Sequence, residues 1–252
     1  MRIAVLADIH GNHLALQAVR ADLACRAVDR VVNLGDCVSG PLWPAETADA
    51  LMALGWPTVR GNHDRWVSSL APSAMGATDA FTHARLDARQ RAWLSDLPPT
   101  LRLDGGIVGI HGTPSDDNAY LLEEVEGGRL VEASAGAVQA RLGPLDARIL
   151  LCAHSHRPAV VQLPGGPLVV NPGSVGCPAY SDTTEPAHRS EARAPHARYA
   201  ILTVDEADID EVGIAVDLCA VAYDWQVAAD AAAANGRPDW AHALRTGFMP
   251  QG

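Results

Sequence analysis

The chain predicts an α/β fold, a four-layer α/β/β/α sandwich of two mixed sheets with helices on both outer faces. Three observations carry this. The first 64 residues read strand, loop, helix three times over, the βαβ pattern of a parallel sheet flanked by helices. From about residue 101 the character becomes β-rich, with fewer helical stretches. No repeat at a fixed period and no linker interrupts the chain, so residues 1–252 are expected to form a single domain of two facing sheets.

The elements follow from local patterning. Ile3 to Ala7 is a short apolar run suited to a buried strand, and Asp8-Ile9-His10-Gly11-Asn12 breaks it. His13 to Leu23 has helical spacing, with Leu14, Ala18, Val19 and Leu23 on one stripe. Val31 to Leu34 reads as a second strand, ending at Gly35-Asp36. Ala45 to Leu54 is helical, with Pro44 suited to its first turn. Thr58-Val59-Arg60 is a third strand ending at Gly61-Asn62-His63-Asp64, and residues 74–96 form one helix ending before Pro98-Pro99. A hairpin is expected where Leu101–Leu103 and Ile107–Ile110 flank Asp104-Gly105-Gly106. Leu130 to Leu142 is expected to be helical. Strands follow at 149–151, 160–163, 168–170, 200–204 and 213–216, with a polar loop over 181–197. The C-terminal strands and helix occupy 198–246, the helix broken near Gly236 and Pro238.

Composition narrows the function. Hydrophobic content of 48% is globular, and aromatic content of only 5% leaves the core to Ala, Val, Leu and Ile. The net charge of −11 disfavours long nucleic acid as a partner. A small phosphorylated substrate remains compatible, because divalent cations invert the local sign. The five cysteines include no C-x-x-C pair, which argues against a disulfide framework or Cys-rich zinc site. Cys37 and Cys152 read as small buried residues. The N-terminal apolar run is too short for a secretory signal, and no run approaches membrane-span length. A cytoplasmic setting is the expectation, and oligomeric state is left open.

The chemistry lies where strands stop. Five strand-like runs each end in residues able to bind metal: Asp8 and His10, then Asp36, then Asn62, His63 and Asp64, then His111, then His154 and His156. In open α/β sheets ligands bind beyond the carboxyl ends of strands, so these side chains are expected on one rim. Imidazole and carboxylate suit Mn, Fe, Co, Ni or Zn. The number of candidate ligands exceeds what one ion needs, and two ions can share a bridging hydroxide and clamp an in-line phosphoryl displacement.

The segments Asp8-Ile9-His10-Gly11-Asn12, Gly35-Asp36, Gly61-Asn62-His63-Asp64, Gly109-Ile110-His111-Gly112 and His154-Ser155-His156-Arg157-Pro158 resemble the calcineurin-like metallophosphoesterases. The resemblance covers residues 3 to about 176 in order. With Asn171-Pro172-Gly173-Ser174-Val175-Gly176, it is closest to the small bacterial phosphodiesterase branch. It implies two divalent cations, manganese first among the candidates. Asp8, His10 and His156 would hold one, Asn62, His111 and His154 the other, and Asp36 would bridge. It also implies that His63 sits beside the phosphate as a catalytic group with Asp64 orienting it, and that Asn12 contacts substrate or braces the first loop, alongside Asn62 and His63 as substrate-binding residues. Ala153 stands where the family commonly has glycine. The expected activity is hydrolysis of phosphodiesters or small phosphomonoesters. A phosphoprotein phosphatase, a nuclease and a non-catalytic scaffold of the same fold are the alternatives.

Taken singly, these residues have plainer readings. Asp36 could cap a helix, Asn62 could be a turn residue, and a lone histidine is more often surface or satisfied core. That reading is applied to His13, His83, His188, His196 and His242, with His188 and His196 expected at the surface of the polar loop. Ser174 is not a nucleophile, because no triad partner lies near it in sequence.

Overall fold

The structure, a computed structural model, describes residues 1–205 and 213–251; residues 206–212, inside the expected 198–246 segment, lie outside the described residues. β1 (Arg2–Leu6) pairs in parallel with β2 (Arg30–Asn33) and antiparallel with β12 (Ala197–Val204), which pairs with β13 (Ile214–Val221). A second mixed sheet has the order β3 (Leu101–Leu103), β4 (Ile107–Gly109), β7 (Ile149–Leu151), β9 (Leu168–Asn171), β8 (Ala159–Gln162). The hairpins at Asp104-Gly105-Gly106 and Pro164-Gly165-Gly166-Pro167 are both present as antiparallel pairs.

Side-chain alternation assigns each face. Ile3, Val5 and Ala7 join Ile149, Leu151 and Val170 in a core between the two sheets. Ala4 and Leu6, one residue out of phase, pack outward against Leu16 and Val19 of α1 (His13–Ala24). On the far side Leu150 packs with Val138 and Leu142 of α6 (Ala135–Leu142). The layer order is therefore helix, sheet, sheet, helix, as expected. Each fully buried Ile or Leu in the central layer stabilises by roughly 1.5–3 kcal/mol.

Several local expectations are corrected. Thr58 forms only an isolated parallel bridge with Asn33, since Pro57 cannot donate to a ladder and Gly61 ends the segment. The single helix over 74–96 is α4 (Ala77–His83) and α5 (Ala88–Asp96), preceded by α3 (Asn62–Ser69). Asp87 starts α5 afresh through a capping box with Gln90. Residues 130–142 are not all helix: β6 (Arg129–Glu132) pairs with β5 (Glu123–Glu126), and Ser134 then caps α6.

The polar 181–197 segment likewise contains strand. β10 (Ala179–Asp182) pairs antiparallel with β11 (His188–Glu191), and β11 meets β6 to complete a third sheet. The buried positions of β11, His188 and Ser190, are polar, so no apolar alternation announces it. α2 (Pro44–Leu54) starts on its proline. The C-terminal α7 (Trp225–Ala234) and α8 (Pro238–Thr246) break at Gly236 and Pro238 as read from the sequence. Among the described residues no helix is long and apolar enough to cross a membrane.

Candidate metal centre

Two groups of ligand atoms assemble beyond the strand ends. In one, atoms of Asp8, His10 and His156 lie within 4.8 Å of one another; in the other, those of Asp36, His111 and His154 do. Asn62 Oδ1 sits 3.0 Å from His111 Nε2, beside the second group. Asp36 Oδ2 is 3.7 Å from His10 Nε2 and 3.4 Å from His111 Nε2, so one carboxylate oxygen reaches toward both.

The hydrogen bonds dictate what these groups can hold. The Nδ1 atoms of His10, His111 and His156 lie 2.6, 2.7 and 2.7 Å from the carbonyls of Ser39, Leu34 and Cys177. A carbonyl only accepts, so Nδ1 carries a proton and each ring turns its Nε2 into the cluster. Burial opposes protonation of His111, but Asp36 and Asp8 outweigh it and raise that ring to about 10. Burial pushes His10 down to about 4 and His154 to about 3, and holds His156 well below the usual range. Yet His10 Nε2 and His156 Nε2 face each other at 3.1 Å. Two lone pairs at that distance call for a cation between them. Both Asp8 carboxylate oxygens are buried without a hydrogen-bond partner, a costly arrangement that a cation would relieve. The donor set of imidazole nitrogen and carboxylate oxygen fits divalent transition metals.

Holding these ligands strains the backbone. Asp8, His10, Asp36, His154 and His156 all have φ between 51° and 69°, the left-handed region that non-glycine residues rarely adopt. Gly35, at φ 98°, turns the chain just before Asp36. A Cβ at Gly61 would collide with the Asp36 carboxylate. Ala153 is accommodated, its methyl buried in the core between the sheets.

Two expectations change here. Asp64 does not orient His63: its carboxylate accepts the N–H groups of Asp36 (2.9 Å), Cys37 (2.9 Å) and Gly61 (3.0 Å), and so braces the turn that presents Asp36. His63 Nδ1 instead lies 2.7 Å from Asp79 Oδ1, on α4, and Ser39 Oγ donates to the same oxygen. Burial opposes protonation of His63, but Asp36 and Asp79 outweigh it and raise the ring to about 9. Of the two roles expected of Asn12, the structure supports bracing the first loop, and both of its amide N–H donors are already used. Its Oδ1 caps α1 at Ala15 N–H, and its Nδ2 donates to Gly176 O and Tyr223 Oη.

His188 is buried rather than exposed. Its Nδ1 donates to Pro186 O, and its Nε2 accepts from Tyr120 Oη at 2.7 Å. Tyr120 stacks on His154 with ring centroids 4.8 Å apart, and Tyr180 meets His156 edge-on at 4.7 Å. His13, His83, His196 and His242 belong to neither ligand group. Ser174 Oγ bonds Asp8 O and Cys177 N–H, a loop-bracing role. Asp79, Ser39, Tyr120 and Tyr180 carried no signal in the sequence, because none lies in a motif or at a telling spacing.

His10, Asp36, Asn62, His63, His154 and His156 border a cavity of about 520 Å³. Residues 1–207 match the family described as the calcineurin-like phosphoesterase superfamily domain. The chain belongs to that superfamily.

Relatives of the superfamily member agree in fold. A metallophosphoesterase from Sphaerobacter thermophilus is 23% identical over 98% of this chain and 99% of its own, with a TM-score of 0.72. A hypothetical protein from Pyrococcus horikoshii OT3 is 23% identical over 99% of both chains, with a TM-score of 0.75. An uncharacterized protein of Methanocaldococcus jannaschii is 40% identical over 62 residues, 25% of this chain and 26% of that protein, so the match spans about a quarter of the curated relative.

The turn between His154 and His156 gives this phosphoesterase superfamily member a pH-dependent element. Ser155 Oγ donates to Glu123, whose carboxyl burial pushes from 4.5 up to about 7. The folded state therefore binds this proton more tightly than the unfolded chain. The resulting stability is complete below about pH 4.5 and is lost as pH rises through about 7. Between pH 4.5 and 8 the wild type should lose roughly 3 kcal/mol relative to Glu123→Gln, measured by urea unfolding. Parallel stability curves for the two proteins would refute this assignment.

Proposed function

We propose that this protein hydrolyses phosphoesters, either phosphodiesters or small phosphomonoesters, at a centre of two divalent cations. Asp8, His10 and His156 would hold one, His111, His154 and Asn62 the other, with Asp36 shared. Bound there, such cations supply Lewis-acid charge to the phosphate oxygens and activate water. The observation that carries the reading is the placement of Asp36 Oδ2 between the two ligand groups, with His63 beside them.

The chain's own groups supply the rest. His63 receives a backbone anchor, since its N–H donates to Asp36 Oδ1 at 3.0 Å. Its Nδ1–H donates to Asp79, which turns Nε2 away from that carboxylate. The Asp79 carboxylate at Nδ1 favours the protonated ring, which suits delivery of a proton to a departing alkoxide. Asp64 acts at one remove, holding the Asp36 turn. The cavity volume of about 520 Å³ lies in the ~300–1,000 Å³ range of small-molecule sites and suits a small organic ester.

The test is hydrolysis of chromogenic phosphate mono- and diesters with Mn²⁺, before and after a chelator. Turnover that appears with Mn²⁺ and disappears on chelation is expected. Absence of metal-dependent turnover of both ester classes would overturn the assignment.

A further inference from the structure

The cavity is much larger than a phosphate group needs, and its walls away from the ligand groups have a definite chemistry. Two half-buried tryptophans stand on opposite flanks of the histidine row. The Trp66 ring meets His63 edge-on at 4.8 Å, His63 meets His10 at 5.5 Å, and Trp240 meets His10 at 5.9 Å. Leu70 and Met249 extend the apolar lining. Trp240 and Met249 come from α8 and the chain that follows it, beyond the segment matched to the superfamily.

Cationic groups are scarce there. Among the described residues lining the cavity, Arg237 is the one arginine or lysine. Its guanidinium forks onto Asp239 at 3.0 and 2.7 Å and donates to Thr78 at 2.6 Å, so its charge is already matched. Asp182 and Asp239 also line the wall. Away from His63 and the ligand groups, a second anionic group on the substrate would meet the carboxylates of Asp182 and Asp239 and a guanidinium already paired, whereas a flat ring would meet tryptophan.

We propose that the cavity selects phosphoesters that carry one flat aromatic group and no second anionic group, with the ring seated against Trp240 and Trp66. This rests on the phosphoesterase reading and names its substrate class. Trp240 and Trp66 are then specificity-determining residues, contributed by α8 and α3.

Non-hydrolysable phosphonates test this without the bias of leaving-group reactivity. Benzylphosphonate, methylphosphonate and 3-phosphonopropionate are titrated into the Mn²⁺-loaded protein, read by calorimetry and by tryptophan fluorescence. Benzylphosphonate is expected to bind about 10-fold or more tighter than either of the others, and to quench the fluorescence. Trp240→Ala and Trp66→Ala, checked for retained metal content, should each narrow the benzyl-to-methyl ratio by about 5-fold. Equal affinities of wild type for all three phosphonates would overturn the ring selection and leave the phosphoesterase reading standing. A ratio unchanged in both variants would remove the tryptophans from it. If no phosphonate binds the metal-loaded protein, both readings fall together.

Discussion

Asp36→Ala is expected to remove most of the activity and at least one of the two cations. Asp36 Oδ2 lies 3.7 Å from His10 Nε2 and 3.4 Å from His111 Nε2, one in each ligand group, and its other oxygen receives the His63 N–H. In the proposed centre its loss would leave each cation short of a ligand and release His63 from its backbone anchor. In the proposed mechanism the charge of the cations would be the main stabiliser of the transition state, so a fall of about 10³ in kcat is the expected scale. Metal analysis after dialysis, paired with kcat, checks it. Two tightly held cations and a near-normal rate in the variant would take the bridging role away from Asp36.

His63→Ala should separate binding from chemistry. His63 belongs to neither ligand group, so cation content should remain at the wild-type value while kcat falls by roughly 10²–10⁴. Asp79→Asn is a milder version of the same experiment. The carboxylate that orients the ring and favours its protonated form becomes a neutral amide, and kcat should fall by about 10-fold with KM little changed. Full activity in His63→Ala would exclude proton delivery by this residue. An unchanged Asp79→Asn enzyme would confine Asp79 to packing.

The parts of the molecule legible in the sequence are those where local composition and function coincide. β1 and β7 are continuous apolar runs because both faces are covered, and the polar residues after them had no structural reason to be there. All seven ligand candidates came to one place for that reason. Strand β11 of the third sheet was not legible, since its buried positions are His188 and Ser190, whose burial is supported by Tyr120 Oη and Ser155 O rather than by apolar contacts. Asp79 was invisible for a related reason. Its value depends on where α4 is laid down, and nothing in Ala77–His83 distinguishes a carboxylate facing His63 from one facing water. Asp64, by contrast, was visible as a motif member but its task was not. Three backbone N–H groups on two separate segments had to converge on it before that task was defined.

The two ligand groups are also drawn from both halves of the sandwich. Asp8, His10 and Asp36 follow strands of one sheet, while His111, His154 and His156 follow strands of the other, and each ligand group mixes the two sources. Neither sheet alone carries a complete set of donors. The centre is thus a clasp across the seam of the molecule. It can close only after both halves have folded and docked, so cation uptake at the proposed centre would double as an inspection of the finished assembly. A chain whose sheets have slipped out of alignment would be inactive and also unable to retain its ions.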